Sequence, residues 1–222
     1  MVFSSLPFMF LFLTVVLLVS HILPFRFRNF FLLLANLVFY AYGEPVYVLI
    51  MIGSILVNFF AGLLMDKQST QGRRRAVLVV GIVLNLAALG VFKYAGLFVS
   101  TLREIPGLSS LPEVDIALPI GISFYTFQAV SYLIDVYWDD CAASHNLINF
   151  ASYISLFPQL IAGPIVRYKD VNEQLVSRRE TPTLFNSGVR LFVVGLAKKV
   201  LLANQLPQRS EERFSRNAET DL

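Results

Sequence analysis

Two histidines and a single cysteine are the side chains of this sequence best suited to acid–base or nucleophilic chemistry. Cys141 and His145 stand four residues apart, a spacing that would bring a thiol and an imidazole together on one face of a helix. The neighbouring residues supply no third group to orient such a pair and too few ligands for a metal ion. A polar connecting loop is therefore the favoured interpretation of residues 141–146. His21 ends the first apolar run, where a helix-end position at a membrane interface is favoured over a catalytic base.

Two uncharged polar residues lie inside an apolar run. Ser123 invites a nucleophile interpretation, but the stretch Gly121-Ile-Ser-Phe-Tyr125 lacks the second glycine of a nucleophile elbow. We expect the Ser123 hydroxyl instead to satisfy backbone groups freed near Pro119. Gln128 both donates and accepts hydrogen bonds, so it either lines a cavity or ties two helices together.

Charged residues near membrane interiors are costly and are often functional. Arg167 either grips the phosphate or carboxylate oxygens of a ligand with its planar fork or anchors a helix end, and the anchor is slightly favoured. Lys93 is expected to lie within about two turns of its helix end and to extend to the interface. Asp135 precedes Tyr137-Trp138 and is expected at the interface too, whereas Lys198-Lys199 face either a cavity or cytoplasmic headgroups.

The composition is that of a membrane protein. Of the 222 residues, 56% are hydrophobic and 15% charged, against about 25% charged residues in soluble domains. Mean hydropathy is +0.65. One cysteine excludes an internal disulfide framework and a cysteine-rich metal site. Basic residues do not form a stripe interleaved with aromatics, which argues against nucleic-acid binding.

Seven apolar runs follow one another along the chain, and most have the roughly 20 residues that a helix needs to cross a bilayer. They are residues 3–23, 25–42, 45–64, 76–99, 117–138, 147–166 and 184–206. The first has no basic residue ahead of it and no cleavage signal after it, so it predicts a retained helix rather than a signal peptide. The sequence therefore predicts an all-α polytopic membrane protein with six or seven membrane segments.

Two of these runs contain residues that interrupt helices. Pro119 removes a backbone donor and Gly121 weakens the helix in the run 117–138, and proline and glycine recur in the run 147–166. Irregular backbone persists at membrane depth only where protein buries it or where it lines a watery cavity. The candidate cavity residues are Pro119, Gly121, Ser123, Gln128, Pro158, Gly163, Pro164 and Arg167.

Basic residues predict the orientation of the runs. Arg26, Arg28 and the cluster within 67–75 should be cytoplasmic, which places the N-terminus and the Gly43–Pro45 turn outside. The next basic cluster, Arg167, Lys169, Arg178 and Arg179, would then lie outside if both 117–138 and 147–166 crossed the membrane. That position would contradict the positive-inside tendency. The contradiction disappears if one of the two runs is re-entrant, and the sequence leaves open which of them it is.

Several blocks of the sequence resemble the membrane-bound O-acyltransferase family, closest to its bacterial alginate O-acetylase branch. They are Met1-Val-Phe-Ser-Ser5, Leu118-Pro-Ile-Gly-Ile-Ser-Phe-Tyr-Thr-Phe-Gln128, Ser131-Tyr-Leu-Ile-Asp-Val-Tyr137, Phe157-Pro-Gln-Leu-Ile-Ala-Gly-Pro-Ile165 and Gly195-Leu-Ala-Lys-Lys-Val200. The resemblance covers about residues 1 to 207 and concerns the N-terminal portion of the family.

The resemblance implies a multi-helix enzyme of the bacterial inner membrane, with helices packed around a funnel. Its activity would be O-acetylation of hydroxyls on an exported polysaccharide such as alginate. The acetyl donor, acetyl-coenzyme A, would be a substrate rather than a bound cofactor. The partners implied are the lipid bilayer and proteins of polysaccharide acetylation and export.

The sequence departs from the family pattern in its later part. Members are about twice as long and carry their hallmark catalytic histidine in the second half, so neither His21 nor His145 corresponds to it. No catalytic or metal-binding residue is assigned, and a truncated form that is inactive by itself is expected. Residues 1–207 would form the membrane domain, and the polar tail 208–222 predicts a disordered or surface terminus.

Two other classes of protein are compatible with the pattern. A transporter-like subunit also builds its site from broken helices, but it predicts an internal repeat, and none is visible. A non-catalytic scaffold of a polysaccharide-export system would bind partner proteins without transferring acetyl groups.

Overall fold

The structure is a computed structural model of the chain, and it describes residues 5–104, 112, 116–160, 163, 165–178 and 180–203. All elements assigned in these residues are helical, as the sequence predicts. They are α1 (Thr14–Ile22), which follows a π-helical stretch (Pro7–Leu13), α2 (Phe25–Gly43), α3 (Val48–Asp66), α4 (Gln71–Arg103), α5 (Ile122–Tyr137), α6 (Leu147–Ser155), α7 (Phe157–Leu160), α8 (Tyr168–Val176) and α9 (Pro182–Lys198), which continues as a π-helical stretch (Lys199–Ala203).

The chain divides into two compact units, and the boundary falls inside α1. Val16–Ser177 form the first unit, and Val2–Val15 with Arg178–Leu222 form the second. In the second unit, α9 buries none of its residues, and the Thr181 hydroxyl accepts a hydrogen bond from the Leu184 amide at its start. Lys198 and Lys199 lie exposed where the α-helix passes into the π-helical stretch. The predicted polar tail 208–222 lies outside the described residues.

Helix α5 is the centre of the first unit, with nine of its 16 residues buried. It packs against α3 and α4 through glycines that admit its side chains. A Cβ atom at Gly62 of α3 would overlap the Tyr132 hydroxyl, and one at Gly81 of α4 would lie 2.6 Å from Leu133 Cδ1. Small residues at such contacts let helices approach closely, which is how membrane helices gain packing energy.

Helices α3 and α4 are joined by a reciprocal pair of amides. Asn58 Nδ2 donates to Asn85 Oδ1 at 3.1 Å, and Asn85 Nδ2 donates to Asn58 Oδ1 at 2.7 Å. Both side chains are buried, and each also donates to a carbonyl one turn earlier in its own helix. Polar pairs of this kind hold helices together where no water competes for the hydrogen bonds.

Two helices in the described residues, Val48–Asp66 and Gln71–Arg103, are long and apolar enough to cross a membrane. Helix α4 is longer than the run 76–99 predicts, so Lys93 stands ten residues before its end. That is almost three turns, at 3.6 residues per turn, rather than the two expected. The Lys93 ammonium lies exposed, 5.4 Å from the centre of the Tyr94 ring.

The interruption predicted in the run 117–138 is present, and it delays the start of α5. Residues 116–119 are not helical, and Pro119 O accepts a hydrogen bond from the Ile122 amide at 3.2 Å. Gly121 precedes the helix with φ +78°, a left-handed conformation that L side chains rarely adopt. Its position lies so close to α7 that a Cβ atom there would meet Leu160 O at 2.7 Å.

The run 147–166 is interrupted earlier than its glycine and prolines suggest. Helix α6 ends at Ser155 after nine residues, and Leu156 has an extended ψ of 108°. Pro158 lies inside the short helix α7, where the first turn tolerates its missing amide hydrogen. Gly163 is not helical, and Pro164 lies outside the described residues.

Both ends of this second run meet at one end of the first unit. Asp140, before α6, accepts a hydrogen bond from Arg167, after α7, at 3.2 Å. Nine residues of helix extend only about 14 Å, which is too short to cross a hydrocarbon core. Asp140 and Arg167, which flank the run, therefore lie at the same end of the first unit.

Candidate functional site

A buried carboxylate near the end of α5 is the strongest electrostatic feature of the first unit. Asp135 is 1% exposed and is held by the Arg167 guanidinium through two hydrogen bonds, one to each carboxylate oxygen. The sequence analysis places Asp135 at the interface and leaves Arg167 as a ligand-binding or anchoring residue. The structure instead pairs the two, which satisfies a charge that would otherwise be costly to bury.

The pair continues into a chain of charges at the same end of the unit. Arg167 also contacts Asp140, which lies 3.8 Å from Lys169 Nζ. On the other side, Arg74 at the start of α4 donates two hydrogen bonds to Asp139. These contacts hold the pKa of the Asp139 carboxyl below its usual range. The guanidinium of Arg167, bound to Asp135, has a raised pKa and stays charged.

Four aromatic rings pack below this layer of charges. The Tyr132 and Phe150 ring centres are 4.6 Å apart, and the Tyr153 and Tyr168 centres are 5.1 Å apart. Tyr132 Oη accepts from the Ser144 amide, and Tyr153 Oη donates to the carbonyl of residue 166 at 2.9 Å. The cluster therefore holds the connections on both sides of the re-entering run.

Gln128 lies two turns before Asp135 and ties α5 to its neighbours. Its Nε2 donates to Tyr153 O at 3.0 Å and to Gln159 Oε1 at 3.1 Å. Of the two roles left open by the sequence, the structure shows the one that ties helices together. Ser123 is half-buried, and its hydroxyl makes no hydrogen bond to the described residues, so the expected contact with the backbone near Pro119 is not seen there.

A cavity of about 320 Å³ lies between the α5–α6 connection and α8, and both polar and apolar side chains line it. It is lined by Ala142, Ala143, Ser144, His145, Asn146, Asn149, Tyr168, Asn172 and Val176. Two of its amides serve the fold: Asn146 caps α6, and Asn149 accepts a hydrogen bond from the buried Asn29 of α2. None of the residues predicted from the sequence to line a cavity belongs to this one.

Neither histidine is arranged for catalysis in the first unit. His145 is 72% exposed, and its Nε2 lies 3.5 Å from Asp66 Oδ2 at the end of α3. Residues 138–146 are not helical, so Cys141 and His145 do not share a helical face, as the favoured loop interpretation predicts. Burial raises the pKa of the Cys141 thiol to about 11, which leaves it a poor nucleophile. His21 lies in the last turn of α1, close to the helix end expected for it.

Buried asparagines are the residues that the sequence analysis missed. Asn29 donates to Asn149 and to Leu175 O, and Asn36 Oδ1 accepts from the Phe157 amide. Asn58 and Asn85 form the amide pair between α3 and α4. An amide inside an apolar run is itself a signal, because a group buried there needs a partner on another helix.

Known proteins similar to this chain share one chemistry in their names. A family model described as MBOAT, membrane-bound O-acyltransferase family, matches residues 141–219, a range that extends past the end of the resemblance seen in the sequence. The probable alginate O-acetylase of Pseudomonas aeruginosa is 42% identical over 219 residues, which cover 97% of this chain and 42% of the relative.

Two further relatives widen the comparison. The probable alginate O-acetylase of Azotobacter vinelandii is 39% identical over 97% of this chain and 44% of its own length. The peptidoglycan O-acetyltransferase of Helicobacter pylori is 30% identical over 97% of this chain and 47% of its own length. The chain thus spans less than half the length of each, and no solved structure matches it. The similarity over nearly the whole chain, together with the family-model match over residues 141–219, relates the chain to the membrane-bound O-acyltransferase family.

Proposed function

We propose that this chain is part of an O-acetyltransferase that transfers acetyl groups to hydroxyls of an exported polysaccharide. The observation that carries the proposal is the 42% identity to a probable alginate O-acetylase over 97% of the chain. A second relative is named for O-acetylation of peptidoglycan, a different polymer. The acceptor class is therefore a polysaccharide hydroxyl, with acetyl-coenzyme A as the proposed donor and the bacterial inner membrane as the proposed location.

The proposed membrane arrangement follows from the charged end of the first unit. Helices α2, α3, α4 and α5 cross the bilayer, and the run 147–166 is the re-entrant one. Arg167 and Lys169 share the carboxylate of Asp140, and Asp139 beside it binds Arg74, so these basic residues gather at one membrane face. Arg26 and Arg28 in the first turn of α2 join the same face, which the positive-inside tendency makes cytoplasmic.

Arg167 is a positioning residue in this proposal rather than a ligand for the acyl donor. Its fork is occupied by Asp135 and Asp140, so it has few donors left for a phosphate. By closing the re-entrant run against α5, it holds α7 and Gln159 beside the interior face of α5.

The activity is tested with membrane vesicles from cells that produce the protein carrying this sequence. Vesicles receive acetyl-coenzyme A labelled in its acetyl group, together with alginate or peptidoglycan-derived glycans. Label should enter one of the polymers as an ester that mild alkali releases. Vesicles from cells lacking the protein are the control, and equal label in both preparations would contradict the proposal.

The purified 222-residue chain is expected to give no transfer by itself. His21 ends α1, and His145 lies exposed beside Asp66, so neither is placed as a general base against a buried substrate. Incubation of the chain in detergent with labelled acetyl-coenzyme A and polymer measures this directly. Ester formation above the level of empty micelles would show that the chain contains the complete catalytic machinery.

A further inference from the structure

Among the described residues of the first unit, three buried hydrogen-bond donors have no acceptor. They are Asn36 Nδ2, Tyr40 Oη and Tyr125 Oη, on side chains that are 0%, 3% and 1% exposed. The fourth such atom in the described residues, Arg74 Nε, lies elsewhere, on a guanidinium whose other nitrogens bind Asp139 and Val136 O. Buried polar groups are almost always paired, so three unpaired donors in one region require an explanation.

The three donors belong to one region because of the helices that carry them. Asn36 and Tyr40 are four residues apart on α2 and so lie on the same face of it. Tyr40 and Tyr125 of α5 belong to the same cluster of buried residues. Helix α7 completes the enclosure, because the Phe157 amide donates to Asn36 Oδ1 while Leu160 packs against Gly121, one turn before Tyr125.

The chemistry of the donors restricts what they can bind. An amide N–H and two phenol O–H groups are neutral, so together they suit an oxygen acceptor rather than a cation. Glu44 stands one turn after Tyr40 at the end of α2, and its carboxylate disfavours a phosphate or carboxylate nearby. A neutral carbonyl oxygen meets both conditions.

We propose that Asn36, Tyr40 and Tyr125 bind the acyl donor through carbonyl oxygens of its acetylated pantetheine arm, the thioester oxygen among them. The assignment rests on the proposed acetyl transfer. A pantetheine arm carries two amides besides the thioester, so it supplies an acceptor for each donor. The re-entrant run contributes α7 to this site. The ion pair between Arg167 and Asp135 therefore helps to hold α7 in place as one wall of the site.

The test measures binding without turnover, so its failure is separate from failure of acetyl transfer. The 222-residue chain in detergent is titrated with S-acetylpantetheine and with S-ethylpantetheine, which lacks the thioester carbonyl. We expect tighter binding of the acetyl compound. Tyr40→Phe and Tyr125→Phe should each weaken its binding by about 5- to 10-fold, the loss of one hydrogen bond.

Unliganded stability separates a ligand site from a structural one. Because each hydroxyl lacks a partner, Tyr40→Phe and Tyr125→Phe should leave the melting temperature of the unliganded chain unchanged or raise it. Tyr42→Phe, on the exposed side of α2, is the matched control and should change neither binding nor melting. The proposal is overturned if the unsubstituted chain binds both compounds equally or binds neither of them. It is also overturned if the two tyrosine variants bind the acetyl compound as tightly as the unsubstituted chain does. A lower melting temperature of the variants would overturn it too, because it would show that enclosed water satisfies the phenols.

Discussion

At the scale of single residues, the ion pair between Asp135 and Arg167 decides how the charged end is built. The carboxylate is almost fully buried, whereas the Arg167 side chain is 39% exposed and reaches it from the surface. Removing a charge from water is costly, and a well-formed pair restores part of that cost. The pair therefore fixes the segment after α7 to the end of α5.

Arg167→Gln should destabilise the first unit strongly. It leaves Asp135 buried without its cation, and removing one partner of a buried pair leaves a charge without compensation. Thermal unfolding followed by circular dichroism measures the change. The double variant Asp135→Asn with Arg167→Gln should recover part of the loss, and a double variant no more stable than the single one would contradict this account.

Cys141 should react slowly with alkylating reagents. Because burial raises the pKa of its thiol to about 11, its thiolate fraction at neutral pH is about 100-fold below that of an ordinary cysteine. The rate of maleimide labelling should rise tenfold per pH unit between 7 and 10. The denatured chain is the control, and equal rates for folded and denatured protein at pH 7.5 would show that the thiol is not buried.

At the scale of elements, the packing of α5 depends on glycines of its neighbours. Gly62 and Gly81 face the side chains of Tyr132 and Leu133 without room for a methyl group. Such contacts bring backbones close enough for dispersion forces to hold helices together in lipid. Other glycines of α3 and α4 face open space, which supplies controls within the same helices.

Gly62→Ala and Gly81→Ala should each lower the unfolding free energy by about 1–3 kcal/mol, because the added methyl group forces α5 away from α3 or α4. Gly53→Ala and Gly90→Ala have nothing within 4 Å of the new Cβ atom. These controls should be neutral or gain up to about 1 kcal/mol of helix propensity. Denaturation in mixed detergent compares the four variants, and equal effects in both pairs would contradict close packing.

At the scale of the whole molecule, the membrane arrangement follows from the charged end of the first unit. The sequence analysis required a re-entrant segment but left open which of two runs it was. The contact between Asp140 and Arg167, together with the nine-residue length of α6, favours the run 147–166. In the proposed arrangement α5 crosses the membrane once, and the basic residues before α4 and around α8 share one side.

Labelling of introduced cysteines tests this arrangement. In a Cys141→Ser background, Glu44→Cys should react with a membrane-impermeant maleimide in intact spheroplasts, because the proposed arrangement places the α2–α3 turn outside. Gln68→Cys and Glu173→Cys should react only after permeabilisation, since positive-inside orientation places both on the cytoplasmic side. Labelling of Glu173→Cys in intact spheroplasts would show that 147–166 crosses the membrane.

Local backbone chemistry made much of the fold readable from the sequence. The length and polarity of the apolar runs predict helices, and Pro119 with Gly121 predicts the interruption that the structure shows before Ile122. The polar residues 141–146 predict a connection for the same local reason. The break at Leu156 carried no such signal, because no proline or glycine stands there. The roles of Gly163 and Pro164 in lining a cavity stay predictions.

The sequence by itself determined that the protein is helical, suited to lipid and similar to an acyltransferase family, because composition, run length and motif order are properties of neighbouring residues. Only the tertiary structure decided the partner of Asp135, 32 residues away at Arg167, and the enclosure of Asn36, Tyr40 and Tyr125 by three separate helices. Partners across helices depend on which faces pack together, and many pairings satisfy the same apolar pattern. Packing selects one of them through close contacts such as Gly62 with Tyr132 and through the need to pair every buried charge.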